Sequence, residues 1–171
     1  MKYFFFFFIL WSFFCKPAPL KKDGIEPAPK DPAGIFIYEL YKTHNHRIQI
    51  GLDGIIQGNS REELDRYFEK ELGDLLWDDV RFSGEEGSIK FDILYQAQEF
   101  EIHDFHVKKS FQKKDVYIVP VEFYNFEKKM NINYHLIRVK DKWKIVDIEY
   151  SKENSLKKIL VEEKYRIFHK P

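Results

Sequence analysis

Residues 116–150 read VYIVPVEFYNFEKKMNINYHLIRVKDKWKIVDIEY, and their alternation decides the fold. Tyr117, Val119, Val121 and Phe123 alternate with other residues along one run, and Met130, Ile132, Tyr134 and Leu136 along the next. Trp143 to Tyr150 forms a further run. Upstream, Phe105 and Val107 alternate with His106 and Lys108, so the β pattern begins at Ile102. A period of two places each apolar set on one face of a strand. Lys113-Lys114-Asp115, Glu127-Lys128-Lys129 and Lys140-Asp141-Lys142 read as polar turns. Four runs of about ten residues with short turns between them predict an antiparallel meander. Pro120 cannot donate to a ladder, which predicts an edge position or a bulge there.

On the N-terminal side the period changes. Ile37, Leu40, Tyr41, His44 and Ile48 share one helical face, predicting a first helix over 34–48. Gly51, Gly54 and Gly58 interrupt regular structure. Asn59-Ser60-Arg61-Glu62-Glu63 predicts a helix start, with Ser60 as cap and Glu63 completing a capping box. Leu64, Tyr67, Phe68, Leu72 and Leu75 continue one face. Gly73, and the shift to Trp77 and Val80, predict a bend or a second short helix. Ser88 to Glu101 is assigned to no regular element. Ser155 to Phe168 reads as a closing amphipathic helix. Helices first and a meander after them is an α+β order, with the helices covering the concave face of a curved antiparallel sheet.

The first residues carry an address. Met1-Lys2-Tyr3 holds one positive charge, and Phe4 to Phe14 is apolar except for Ser12. Such a segment spans about 16 Å as a helix, too short for a hydrocarbon core of about 30 Å. It reads as a signal h-region. Cys15 closes it, as the lipidated cysteine closes a lipoprotein signal, although Phe14 stands where that pattern has a small residue. Residues 1–15 are therefore expected to be a signal peptide and Cys15 a lipid attachment point, exporting the chain to the cell envelope. Pro17, Pro19, Pro27, Pro29 and Pro32 make residues 16–34 an extended tether. Residues 35–165 form one domain.

Composition limits the partners. Lys plus Arg and Asp plus Glu both total 28, so no overall basic field exists to hold nucleic acid. A single cysteine excludes an intramolecular disulfide and a multi-cysteine zinc site. His44 and His46 diverge on a helix, and His103 and His106 are placed on opposite faces of a strand unless a bulge intervenes. No metal and no cofactor is expected.

Four strings resemble a bacterial exported family, a domain of unknown function (number 3828), within the nuclear-transport-factor-2-like superfamily. They are Ile37-Tyr38-Glu39-Leu40-Tyr41, Asp92-Ile93-Leu94-Tyr95-Gln96-Ala97-Gln98-Glu99-Phe100, Trp143-Lys144-Ile145-Val146-Asp147-Ile148 and Ser155-Leu156-Lys157-Lys158-Ile159-Leu160. The resemblance implies helices fused to a cone-shaped sheet and an exported address, and carries no established activity. A cone of this kind has a pocket at its open end. Tyr41, Asp92, Gln98 and Glu99 are the ligand-binding candidates. The last three either orient a ligand at the pocket mouth or cap local turns. Superfamily enzymes use an acid and a histidine inside the cone, which makes His44 and Asp147 the acid–base candidates.

Three readings follow. A non-catalytic module binding a small ligand or an envelope protein needs a deep aromatic pocket, or a partner. An isomerase-like or dehydratase-like enzyme needs Asp147 within reach of a histidine. An immunity-like or scaffold protein needs a filled interior and an exposed aromatic sheet face.

Overall fold

A computed structural model describes residues 28–52, 54, 60–82 and 89–168. The signal segment with Cys15 and most of the tether lie outside the described residues. The fold is α+β. Helices α1 (Pro32–Gln49), α2 (Arg61–Tyr67) and α3 (Lys70–Phe82) come first. Strands β1 (Ile102–Val107), β2 (Phe111–Lys113), β3 (Val116–Asn125), β4 (Lys128–Val139), β5 (Lys142–Ser151) and β6 (Asn154–Ser155) follow, and α4 (Leu156–Phe168) closes the domain. The strands form one antiparallel sheet in the order β1-β3-β4-β5-β6, with β2 also on β3.

Local chemistry sets the helix starts. Asp31 caps α1 by accepting from the Gly34 N–H at 2.9 Å, and Pro32 occupies a position that needs no N–H. The helix thus begins inside the stretch expected to be tether. Asp31 also accepts from the Ser110 hydroxyl at 2.5 Å, which ties the domain entrance to the residue before β2. Burial opposes ionisation of Asp31, but the bonds from Ser110 and Gly34 prevail and hold its carboxyl below the usual range. Ser60 caps α2 through the Glu63 N–H, while the Glu63 carboxylate pairs with Arg47.

The helical break falls at Phe68, not at Gly73. Phe68 is extended, buried and bridged to Ile145 of β5, and the Glu69 N–H donates to the Ile145 carbonyl at 2.8 Å. The sheet takes the backbone there, and Gly73 sits inside α3.

Val119, Val121, Phe123, Ile132, Tyr134, Leu136, Ile145 and Ile148 point from the sheet into the core, against Ile37, Leu40, Leu64, Leu72, Leu156 and Leu160 of the helices. Pro120 departs from the edge expectation, because β3 has neighbours on both sides. The Pro120 carbonyl accepts from the Lys108 N–H at 2.8 Å. Its nitrogen faces that same side, between the end of β1 pairing and the start of β2 pairing. The missing donor thus falls in a gap between two partners.

Candidate functional site

The interior is occupied by the segment that carried no period. Asp92 to Ala97 closes a tight turn, with the Asp92 N–H donating to the Ala97 carbonyl at 2.9 Å and Gln96 in the left-handed region. Ile93, Leu94 and Tyr95 are buried between α1 and the core face of the sheet. A buried turn needs partners for its carbonyls. Tyr41 Oη donates to the Leu94 carbonyl at 2.6 Å and lies 2.7 Å from Tyr134 Oη. Tyr150 Oη donates to the Ile93 carbonyl at 2.9 Å, and Tyr95 Oη donates to Asn45 Oδ1 at 2.6 Å. Burial pushes the phenols of Tyr41, Tyr95, Tyr134 and Tyr150 well up, so they remain neutral donors. Tyr41 also packs edge-on against Phe105 and Tyr134.

Asp92 organises this turn. Its Oδ1 accepts from the Leu94 and Tyr95 N–H groups at 2.9 and 3.1 Å. Its Oδ2 lies 2.8 Å from His44 Nε2, with the side chains 11% and 2% exposed. Gly54 lies against the ring: a Cβ there would sit 2.3 Å from His44 Cε1. A side chain at 54 is incompatible with this ring position. The His44–Asp92 contact therefore clamps α1 to the turn from within the core.

The sequence candidates separate accordingly. Tyr41, His44 and Asp92 converge inside the domain. Gln98 and Glu99 follow the turn and are exposed, and Glu99 is engaged through its carbonyl, which accepts from Asn125 Nδ2. Asp147 is not the acid at His44. Its Oδ1 accepts from the Lys157 and Ile148 N–H groups at 3.0 and 2.8 Å, so it caps the start of α4. Among the described residues, Ile93, Leu94 and Tyr95 are buried beside them in the core.

The outer face of the sheet carries a different cluster. Asp104, with φ +49, inserts a bulge in β1, so His103 opposes Tyr124 and His106 opposes Glu122. Both histidines therefore lie on the outer face, contrary to the strict alternation expected of them. Among the described residues, no group of three metal-ligating side chains is gathered. A recess of about 250 Å³ opens here, lined in part by Asp104, His106, Lys108, Glu122, Tyr124 and Lys129. Glu122 lies 3.4 Å from Lys108 and 3.5 Å from Lys129.

Beside the recess stands the β3–β4 tip. Phe126 has φ +51 and is 50% exposed. A bulky side chain in the left-handed region is strained. Two bonds hold it, one to the residue before β1 and one to β1: the Phe126 N–H donates to the Glu101 carbonyl at 2.9 Å, and His103 Nε2 donates to the Phe126 carbonyl at 2.7 Å. His103 Nδ1 reaches Asp104 Oδ2 at 3.1 Å, and the ring stacks on Tyr124. Both ring nitrogens thus face acceptors, which demands two N–H groups and favours the imidazolium. The Phe126 carbonyl, then the Asp104 carboxylate, hold the imidazole above its ordinary range.

A raised histidine stabilises the fold below its unfolded value, and that contribution is lost as pH rises through the folded one. The tip is therefore expected to loosen over the pH window that opens above the ordinary histidine value of about 6.5. Amide exchange at Phe126, corrected for its intrinsic rate, should accelerate over that window, and His103→Gln should abolish the acceleration. An unchanged wild-type protection factor would dissociate the tip from His103 protonation.

No family model matches the chain, and no curated protein matches it. Two solved structures are similar, both of the type VI effector–immunity complex Tae3–Tai3 from Ralstonia pickettii. The selenomethionine form aligns at 19% identity and TM-score 0.48, covering 70% of this chain and 94% of that one. The native form aligns at 18% identity and TM-score 0.46, covering 75% and 99%.

Proposed function

We propose that the mature chain is an exported, lipid-anchored protein-binding module, of the scaffold or immunity-like kind, acting through the outer face of its sheet near the β3–β4 tip. The observation that carries this reading is the packing of the 92–97 turn: among the described residues, Ile93, Leu94 and Tyr95 are buried in the core. Tyr41, His44 and Asp92 are consumed in holding that turn. The polar and aromatic groups left to a partner lie outside. The lipid anchor rests on Cys15 closing the apolar leader.

Phe126 is the anchor residue of the proposed surface. A strained backbone kept at an exposed aromatic tip favours recognition over stability, since glycine would occupy the same φ freely. Phe126→Gly is expected to stabilise the fold by about 1 kcal/mol while removing the binding contact. The test is site-specific photo-crosslinking in the host envelope, with a benzophenone side chain at position 126 and, as control, at Tyr165 on α4. A discrete protein adduct from 126, absent at 165 and competed by unlabelled wild type but not by Phe126→Gly, supports the reading. The same adducts from both positions, or none from 126, overturn it.

A further inference from the structure

The two ends of the sheet differ in charge. At the end opposite the tip, the β2–β3 and β4–β5 turns lie side by side, because β3 starts where β4 ends. The segments 111–117 and 136–144 hold six basic residues, Lys113, Lys114, Arg138, Lys140, Lys142 and Lys144, against Asp115 and Asp141, in a chain whose charges balance. Arg138 is engaged by Asp141 at 3.3 Å and lies over the Trp143 ring. Lys144 turns onto the carbonyls of Asp65 and Arg66, where Asp65 is paired with Arg61. Lys113, Lys114, Lys140 and Lys142 are exposed. Phe111 and Val139 stand beside them, 51% and 40% exposed.

This basic, apolar-fringed end is also where the chain enters the domain. The entrance is stapled there, since Asp31 bonds to Ser110, which immediately precedes β2. Lys16 to Pro27 can span at most on the order of 40 Å. A lipid on Cys15 thus keeps this end within about that distance of the bilayer. Clustered lysines beside an anchor are drawn to anionic headgroups, and one acyl chain alone binds only marginally.

We propose that this end of the sheet docks on an anionic lipid surface, the membrane to which the tether runs, and so stands the domain with its β3–β4 tip outward. The β3 strand spans about 30 Å, which sets the height of Phe126 above the surface. The inference rests on the lipid anchor of the proposed function, and its test separates the two.

The full, processed chain is bound to vesicles of pure phosphatidylcholine and to vesicles of equal parts phosphatidylcholine and phosphatidylglycerol, and its dissociation rate is followed. Release from the anionic vesicles is expected to be slower by about tenfold or more in 0.1 M salt, and the difference should vanish in 1 M salt as the Debye length falls from about 10 to about 3 Å. Combined Lys113→Glu, Lys114→Glu, Lys140→Glu and Lys142→Glu should remove the difference without moving the unfolding midpoint. Should that variant fold poorly, the salt dependence of the unaltered chain decides alone. Retention on neutral vesicles reports the anchor and should be lost in a chain that begins at Lys16 and carries no lipid. Equal release from both vesicles, with neutral retention intact, overturns the docking and leaves the basic end to an acidic protein. Preference for anionic vesicles without neutral retention overturns the anchor and upholds the docking surface.

Discussion

Asp92→Ala is expected to destabilise the domain by about 3 kcal/mol or more, measured as a shift in urea unfolding at constant m. Three effects add at one carboxylate. The Leu94 and Tyr95 N–H groups lose their acceptor inside the core. His44, nearly inaccessible, loses the oxygen 2.8 Å from its Nε2. The turn they hold supplies Ile93, Leu94 and Tyr95 to the core, so its loosening exposes apolar area as well. Asp92→Asn separates these effects. Its amide oxygen can still accept from both N–H groups, while the charge facing His44 is gone, so it should cost roughly half as much. A shift under about 0.5 kcal/mol for Asp92→Ala would mean that the turn is held by its tyrosine bonds and the clamp is incidental.

Tyr41→Ala should cost about 3–5 kcal/mol, the range for emptying an aromatic site in a core. The ring touches Tyr95, Phe105 and Tyr134, from the turn, β1 and β4, so the cavity cannot be closed by moving a single neighbour. Tyr41→Phe should cost only about 1 kcal/mol. The Leu94 carbonyl would keep the Tyr134 hydroxyl, now 3.4 Å away and free to tighten once Tyr41 Oη is gone. Comparison of the two unfolding curves tests the packing argument. Equal losses would place the stabilisation in the hydroxyl chain instead of the ring. A Tyr41→Ala protein that binds the envelope partner as wild type does, once folded, would agree with a surface mode of action.

The contrast between Tyr41 and Asp147 shows how far side-chain identity carries. Tyr41 was legible as a core-facing residue, because its neighbours at 37, 40 and 44 fall on one helical face. What it bonds to was not legible, since Leu94 and Tyr134 lie 53 and 93 positions away. His44 and Asp92 both stand out in the sequence, but in separate roles, and no local pattern pairs them. Asp147 sits in the strand as expected, yet the extra residue Val146 in β5, opposite the step from His135 to Leu136, changes its register, and its oxygen meets the start of α4. Ser155 caps α4 locally by accepting from the Lys158 N–H, and Asp147 adds a second acceptor from ten residues upstream across a strand turn. The Asx turn itself left a trace: Asp92 precedes two residues whose N–H groups it accepts.

By itself the sequence determined the elements. Alternation along 102–150 made the meander, the 3–4 spacing made α1 and α4, and Asp31 and Ser60 set where two helices begin. These are short-range effects, written in residues a few positions apart. Only the tertiary structure decided what the interior holds and which face is left to act. One bulge at Asp104 turned His103 and His106 to the same side, because a single extra residue reverses the alternation of a strand. Pro120 found a central strand acceptable because two partners share that edge of β3 with a gap between them. The aperiodic segment 92–97 filled the concave face because buried carbonyls can be satisfied there by tyrosines drawn from α1, β4 and β5. Such long-range satisfaction leaves no period in the chain, so the site became visible only once the sheet had closed around it.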